Sequence, residues 1–95
     1  MARYSIEKHP DFNNNLKKIL KYIAIYHPKN AKRFKNKLVK VINNLSTFPY
    51  KYRKSYYYHD ENIRDLIFKG FTIPYLIDEE NSKIVILDIF KWQDK

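Results

Sequence analysis

Apolar residues recur at steps of three and four in two successive stretches, which is the repeat of one helix face. The first stretch predicts a helix of about four turns that begins at Asp11, whose side chain is placed to cap it. His27-Pro28 ends this helix, and Pro28 suits the first turn of a second one, so the two helices form an antiparallel hairpin. The stripes are Phe12, Leu16, Ile19, Leu20 and Ile23, then Ala31, Phe34, Leu38, Val41, Ile42 and Leu45, with Phe48 as a further candidate.

Strands are predicted on both sides of this hairpin. Residues 2–8 alternate in polarity and stop at His9-Pro10, as an N-terminal strand would. After a loop over residues 46–62, β-forming residues predict strands at 63–69, 71–77 and 83–90, separated by a tight turn at Gly70 and a polar turn at 78–82. Such short turns predict a three-stranded antiparallel meander.

These elements give an α+β fold in which both helices pack on one face of the sheet. The length of 95 residues suits one domain, residues 1–95, and a 44% hydrophobic content supports a packed core without cross-links. The absence of cysteine excludes disulfides, a thiolate nucleophile and a cysteine-ligated zinc site. With no signal peptide and no apolar window as long as a membrane span, we expect a cytoplasmic protein.

Charge is unevenly distributed along the chain. Lysine and arginine number 19 against 10 acidic residues, a net charge of +9. Residues 28–55 contain nine basic residues and no acidic one, which equals the whole surplus. This asymmetry predicts a surface that meets phosphate or a carboxylate-rich protein. A lysine-rich helix face is equally often a solvated surface.

Familiar catalytic signatures are absent from the sequence. A single glycine excludes a phosphate-cradling loop, and the three histidines have no metal-ligand spacing, so we expect no metal and no cofactor. His9 and His27 precede prolines, where a capping or helix-breaking role is expected, and His59 is a weak acid or base candidate. Asp88 interrupts an apolar strand, and we expect it to face the open side of the sheet rather than to act as a functional carboxylate.

Arginine, lysine and tyrosine are the residue types that remain for chemistry. Cationic groups can stabilise charge on a phosphoryl oxygen, and tyrosine rings can stack on bases. The loop after the second helix interleaves them, which favours nucleic-acid binding, although these tyrosines can also simply cover a sheet edge. The candidates are Lys51, Tyr52, Arg53, Lys54, Tyr56 and Tyr58.

Two spaced patterns accompany the predicted order of elements. The second helix opens with a proline and a small residue, and it closes on a leucine shortly before another proline. The meander has an arginine, a hydrophobic residue two places on and a turn made of a basic residue and glycine. An aromatic residue follows the turn, and a tyrosine comes four residues after that aromatic. These patterns, over about fifty residues, resemble the RelE/ParE superfamily of type II toxins. The matching residues are Pro28, Ala31, Leu45, Pro49, Arg64, Leu66, Lys69, Gly70, Phe71 and Tyr75.

The resemblance implies a toxin held inactive by an acidic cognate antitoxin, and it leaves three functions open. A RelE-like toxin would cleave mRNA on the ribosome without a metal, with Arg64 and Lys69 steadying the phosphoryl charge and Lys91 contacting the leaving strand. A ParE-like toxin would poison DNA gyrase through protein contacts, without enzymatic chemistry. A third possibility is a toxin fold that retains only antitoxin binding. The basic and aromatic residues beside the sheet favour the nuclease.

Two departures from the family pattern carry structural consequences. Pro74 lies inside a strand that the family fold makes internal, so it removes a ladder donor and predicts a local bulge. Lys91 stands where RelE-like nucleases usually have an arginine, and lysine lacks the bidentate guanidinium fork.

Alternation does not tell which face of its strand Arg64 occupies. We expect the open face, with Leu66 and Phe68 as an apolar floor.

Overall fold

The computed structural model describes residues 3–91. It confirms the α+β architecture, with an N-terminal strand, two helices and then antiparallel strands. The elements are β1 (Ser5–Lys8), α1 (Pro10–Tyr26), α2 (Pro28–Asn44), β2 (Ile63–Phe68), β3 (Phe71–Asp78), β4 (Lys83–Ile86) and β5 (Phe90–Lys91). No helix in the described part of the chain has both the length and the apolar character that crossing a membrane requires.

The helix boundaries differ from the prediction at two places. The cap of α1 is His9, not Asp11, because Pro10 already occupies the first turn, and the Nδ1 of His9 accepts a hydrogen bond from the backbone N–H of Asp11 at 3.0 Å. The second helix ends at Asn44, before the end of its apolar stripe. Phe48 therefore lies outside the core, with 57% of its surface exposed.

The sheet has the order β1-β4-β3-β2. Strands β2, β3 and β4 form the predicted antiparallel meander, and β1 joins β4 in parallel at the opposite edge. The chain leaves β1 through the helical hairpin and enters the sheet again at β2, the other edge. Both helices lie against one face of the sheet, where Phe34 of α2 packs its ring on Phe68 and Phe71.

The predicted strand at 83–90 is interrupted, and the interruption is the bulge expected from Pro74. Tyr75 pairs with Ile86 and Thr72 pairs with Phe90, so three steps along β3 correspond to four steps along its neighbour. The backbone N–H of Leu87 donates to the carbonyl of Pro74 at 2.9 Å. One extra residue thus separates β4 from β5 beside the proline that has no N–H to offer.

The core lies between α2 and the helix-facing side of the sheet. Leu38 is 1% exposed, which confirms the predicted stripe, and it belongs to one cluster with buried residues of β2, β3 and β4. Only Phe12 of α1 is fully buried, whereas the remaining stripe of that helix is half-buried against the same cluster. The first helix is therefore the outer one of the pair.

Candidate functional site

Arg64 lies on the helix-facing side of the sheet, so the expectation that it occupies the open face is wrong. It pairs across β2 and β3 with Tyr75, and residues directly opposite each other share a face. Two and four positions further along β2, Leu66 and Phe68 are on the same side, and Phe68 contacts α2 through Phe34. The helices stop short of Arg64, and the loop that follows α2 covers it instead.

The guanidinium of Arg64 is engaged within the protein. Its Nη1 donates a hydrogen bond to the backbone carbonyl of Tyr52 at 2.7 Å, and its central carbon lies 4.9 Å from the centre of the Tyr50 ring. Within residues 3–91, its buried Nε has no hydrogen-bond partner, and no carboxylate pairs with this arginine. Its partly buried charge is instead stabilised by a carbonyl and an aromatic face.

Tyr75 secures the same loop from the adjacent strand. It is fully buried, and its hydroxyl donates to the carbonyl of Pro49 at 2.6 Å. Burial raises the pKa of this phenol, so it remains a hydrogen-bond donor at any physiological pH. Its ring also meets that of Tyr52 edge-on, with centroids 6.5 Å apart. The cross-strand pair of Arg64 and Tyr75 therefore fixes residues 49–52 over the end of the core.

The three cations predicted as catalytic do not converge. Lys69 occupies the turn between β2 and β3 with a positive φ of 49°, and Lys91 pairs with Phe71 at the same end of the sheet. Arg64 is five residues from Lys69 along an extended strand, which corresponds to about 16 Å. The structure thus brings the two lysines to one end of the sheet and Arg64 towards the other.

The opposite face of the sheet is covered by residues 53–58 and centred on Asp65, which sequence reasoning did not single out. Asp65 is 1% exposed; its Oδ2 accepts from the backbone N–H of Tyr56 at 3.1 Å and lies 3.9 Å from Nη2 of Arg53. Residues 53–55 also run along the edge of β2, where Lys54 forms a bridge with Arg64. A buried carboxylate on the supposedly open face therefore anchors this segment.

Aromatic side chains continue this cover. The ring of Tyr57 packs edge-on against Phe90, with centroids 5.0 Å apart. Tyr58 is 37% exposed; burial of the rest of its side chain raises its pKa, as do the neighbouring carboxylates of Asp88, Asp65 and Asp11. Tyr57 therefore covers the sheet, whereas Tyr58 keeps part of its ring at the surface.

The predicted nucleic-acid-binding residues fall into two groups. Lys51, Lys54 and Tyr56 are exposed, and the guanidinium of Arg53 stacks 4.0 Å from the centre of the Tyr56 ring. Tyr52, by contrast, turns towards the core, and burial raises its pKa. The exposed members therefore form a cationic and aromatic strip, and Tyr52 supports it from beneath.

Asp88 is a structural residue on the side of the helices, contrary to the expectation that it faces the open side. Its Oδ1 accepts a hydrogen bond from Nδ2 of Asn15 in α1 at 2.7 Å and another from the backbone N–H of Ile89. It therefore ties the bulge after β4 to the outer helix.

An exposed apolar patch on α1 also escaped the sequence reasoning. Tyr22, Ile25 and Tyr26 are each at least 66% exposed, and the rings of Tyr22 and Tyr26 contact each other. The available signal was their position outside the core-facing stripe of the helix. Soluble proteins rarely gather large apolar side chains on a helix face unless another surface covers it.

Comparisons with known proteins place this arrangement in the class of small α+β toxins. A sequence model of the ParE toxins of type II toxin-antitoxin systems (parDE) matches residues 6–94, so the chain belongs to this family. No curated protein matches the sequence.

Two solved structures are similar to it. One is described as the chromosomal ParDE toxin-antitoxin system from P. aeruginosa, with 16% identity, a TM-score of 0.77 and coverage of 96% of this chain and 98% of that one. The other is the RelBE2 toxin-antitoxin complex from Mycobacterium tuberculosis, with 19% identity, a TM-score of 0.67 and coverage of 99% and 97%.

Proposed function

We propose that this toxin acts as a ParE-like poison of DNA gyrase, through contacts with the enzyme rather than through chemistry of its own. The observation that carries the proposal is the state of Arg64. Its guanidinium is already bonded to the Tyr52 carbonyl and stacked on Tyr50, so it is not available to clamp a phosphate.

The separation of the cations supports the same conclusion. Cleavage of a phosphodiester by its own 2′-hydroxyl needs the base, the acid and the charge-stabilising groups within hydrogen-bond reach of one phosphate. About 16 Å of strand separates Arg64 from Lys69. A gyrase poison has no such requirement, since its effect depends on the shape and charge of a binding surface.

Ribosome-dependent mRNA cleavage is the second candidate, favoured by one observation. The stacked Arg53 and Tyr56 are exposed together, with Lys51 and Lys54 nearby in sequence. Such a strip could hold single-stranded bases against the ribosome. Its weakness is that the carboxylates beside it are already engaged: Glu61 lies 3.9 Å from Nζ of Lys54, and Asp65 is buried beneath the strip.

We propose that an acidic cognate antitoxin silences the toxin in the cytoplasm by covering the apolar patch on α1. The patch continues into a groove between α1 and β5, lined by Ile19, Tyr22 and Phe90, with Lys18 and Lys91 beside it. An acidic amphipathic segment would match both the apolar floor and the two cations.

The test compares the purified toxin in two assays. We expect it to inhibit supercoiling by the gyrase of the host bacterium and to trap gyrase on cleaved DNA, while mRNA on translating ribosomes stays intact. The double variant Lys69→Ala, Lys91→Ala should retain full growth inhibition, because both lysines are exposed and neither is needed for protein contacts at the gyrase. Ribosome-dependent mRNA cleavage that the double variant loses would instead establish the nuclease.

A further inference from the structure

The loop between α2 and β2 presents large aromatic side chains to solvent. Phe48 is 57% exposed and Tyr50 is 44% exposed, and both line one shallow groove together with Pro49. Large aromatic side chains gathered at one exposed place are more informative than a single exposed one. We call residues 46–52 the aromatic loop.

The aromatic loop is held firmly although it has no regular secondary structure. The backbone N–H of Phe48 donates to Asn44 at 3.0 Å, and that of Lys51 donates to the carbonyl of Phe48 at 3.3 Å. From the sheet, Tyr75 bonds the carbonyl of Pro49 and Arg64 bonds that of Tyr52. Phe48 is thus held out by a preorganised support, which lowers the entropic cost of binding a partner.

Three cations lie close to this aromatic centre. Lys51 lines the groove itself, and Arg3 and Lys40 line the adjoining one. Among the described residues, no carboxylate lines either groove. An apolar centre with a positive rim is complementary to an acidic protein surface that offers an apolar pocket.

We propose that the aromatic loop is the surface through which the toxin grips an acidic region of its protein target, with Phe48 as the central anchor. The inference rests on the proposed function and adds to it the binding surface and the chemistry of the partner. In this arrangement, Arg64 and Tyr75, which belong to the family pattern, act as positioning residues for the loop.

A protein fits this surface better than a nucleic acid. The hydroxyl of Tyr50 is bonded to the carboxylate of Glu79, so this ring is already held at its polar end. One face of the Tyr50 ring is occupied by Arg64, so that face cannot stack on a base. Phe48 offers no hydrogen bond, as is typical of an anchor that fills an apolar pocket.

The aromatic loop is also distinct from the patch proposed to bind the antitoxin. That patch lies at the carboxyl end of α1, beside the start of α2. The aromatic loop follows the other end of α2. Seventeen residues of helix separate the two surfaces, which corresponds to about 25 Å. Two different partners can therefore use them.

The experiment measures binding of the full toxin to host gyrase and to its antitoxin by surface plasmon resonance. Phe48→Ala should bind gyrase at least about 30-fold more weakly, as truncation of a central anchor does, and should bind antitoxin as wild type does. The matched control, Ile25→Ala, removes an exposed apolar side chain from the other surface and should leave gyrase binding unchanged. Both variants should melt at the wild-type temperature, because neither side chain is buried.

A charge reversal gives a second, independent readout. Lys51→Glu should slow association with gyrase at low salt, and the difference from wild type should shrink as salt is added. Gyrase binding by Phe48→Ala within twofold of wild type would overturn the inference while leaving the proposed function in place. The inference would also be overturned if Phe48→Ala lost binding to the antitoxin alone. The same holds if Phe48→Ala lost mRNA cleavage but still bound gyrase. Failure of the wild-type toxin to bind gyrase at all would overturn the proposed function with it.

Discussion

Replacing Arg64 by methionine tests whether this arginine is a structural support. The variant Arg64→Met keeps a long apolar stem against the core but removes the guanidinium. It loses one charge-assisted hydrogen bond to Tyr52, worth about 1.5 to 3 kcal/mol, and stacking on Tyr50, worth about 0.5 to 1 kcal/mol. Removal of the buried, unpartnered Nε returns part of this loss. We expect a net destabilisation of about 1 to 2 kcal/mol.

Thermal unfolding followed by circular dichroism measures this effect, since each 1 kcal/mol lowers the melting temperature of a domain this small by roughly 4 to 8 °C. Hydrogen exchange locates it: the amide of Lys51 should exchange faster, because residues 49–52 have lost one of the two hydrogen bonds that Arg64 and Tyr75 donate to their carbonyls. Arg64→Lys, which keeps the charge but not the planar stack, should fall between methionine and wild type. An unchanged melting temperature combined with abolished toxicity would refute the structural role and return Arg64 to the list of catalytic candidates.

Three further predictions concern the core, the buried carboxylate and the second tie of the loop. Leu38→Ala should lower the free energy of unfolding by about 2 to 5 kcal/mol in a urea titration, because it empties a fully buried site. Arg53→Glu should lower the free energy of unfolding by at least about 1 kcal/mol, since it places a negative charge near buried Asp65. The control, Lys54→Glu at an exposed position, should be neutral within about 0.5 kcal/mol. Equal melting temperatures of the two variants would contradict this. Tyr75→Phe should cost about 1 to 3 kcal/mol by calorimetry, because the carbonyl of Pro49 loses its donor, and a neutral result would show that water replaces the hydroxyl.

Periodicity and chain breakers were sufficient to predict the helical hairpin, the meander and the bulge. The prolines account for much of this success, because a missing N–H and a fixed φ act locally and do not depend on distant packing. The capping or helix-breaking role expected of His9 is confirmed, and only Asp11 was misassigned as the cap of α1. Histidine at position 9 takes the capping role once Pro10 opens the helix.

The face of Arg64 could not be predicted because β2 is covered on both sides. Ile63, Asp65 and Leu66 are all buried, so the strand lacks the contrast between an apolar and a polar face that would identify its core-facing side. The second cover is the irregular segment at 53–58, whose path is set by the carboxylate of Asp65 and the ring contact of Tyr57. Such long-range, irregular contacts have no sequence period.

Composition drew attention to the tyrosines and cations after α2, and their binding of nucleic acid stays a prediction. Composition could not separate the residues that support the loop from the residues that the loop exposes. Tyr52 and Arg64 belong to the supporting group, and exposed Phe48 was assigned to the helix stripe because its spacing continues the apolar period past Asn44.

The bulge beside Pro74 determines which side of the sheet each side chain of β5 occupies. Before the bulge, Ile86 shares the helix-facing side with Tyr75; after it, Phe90 shares the opposite side with Thr72 and stacks on Tyr57. Deleting one residue between Ile86 and Phe90 would therefore transpose the inner and outer side chains of the final strand. The proline therefore decides which residues of the last strand face the helices and which face the segment at 53–58.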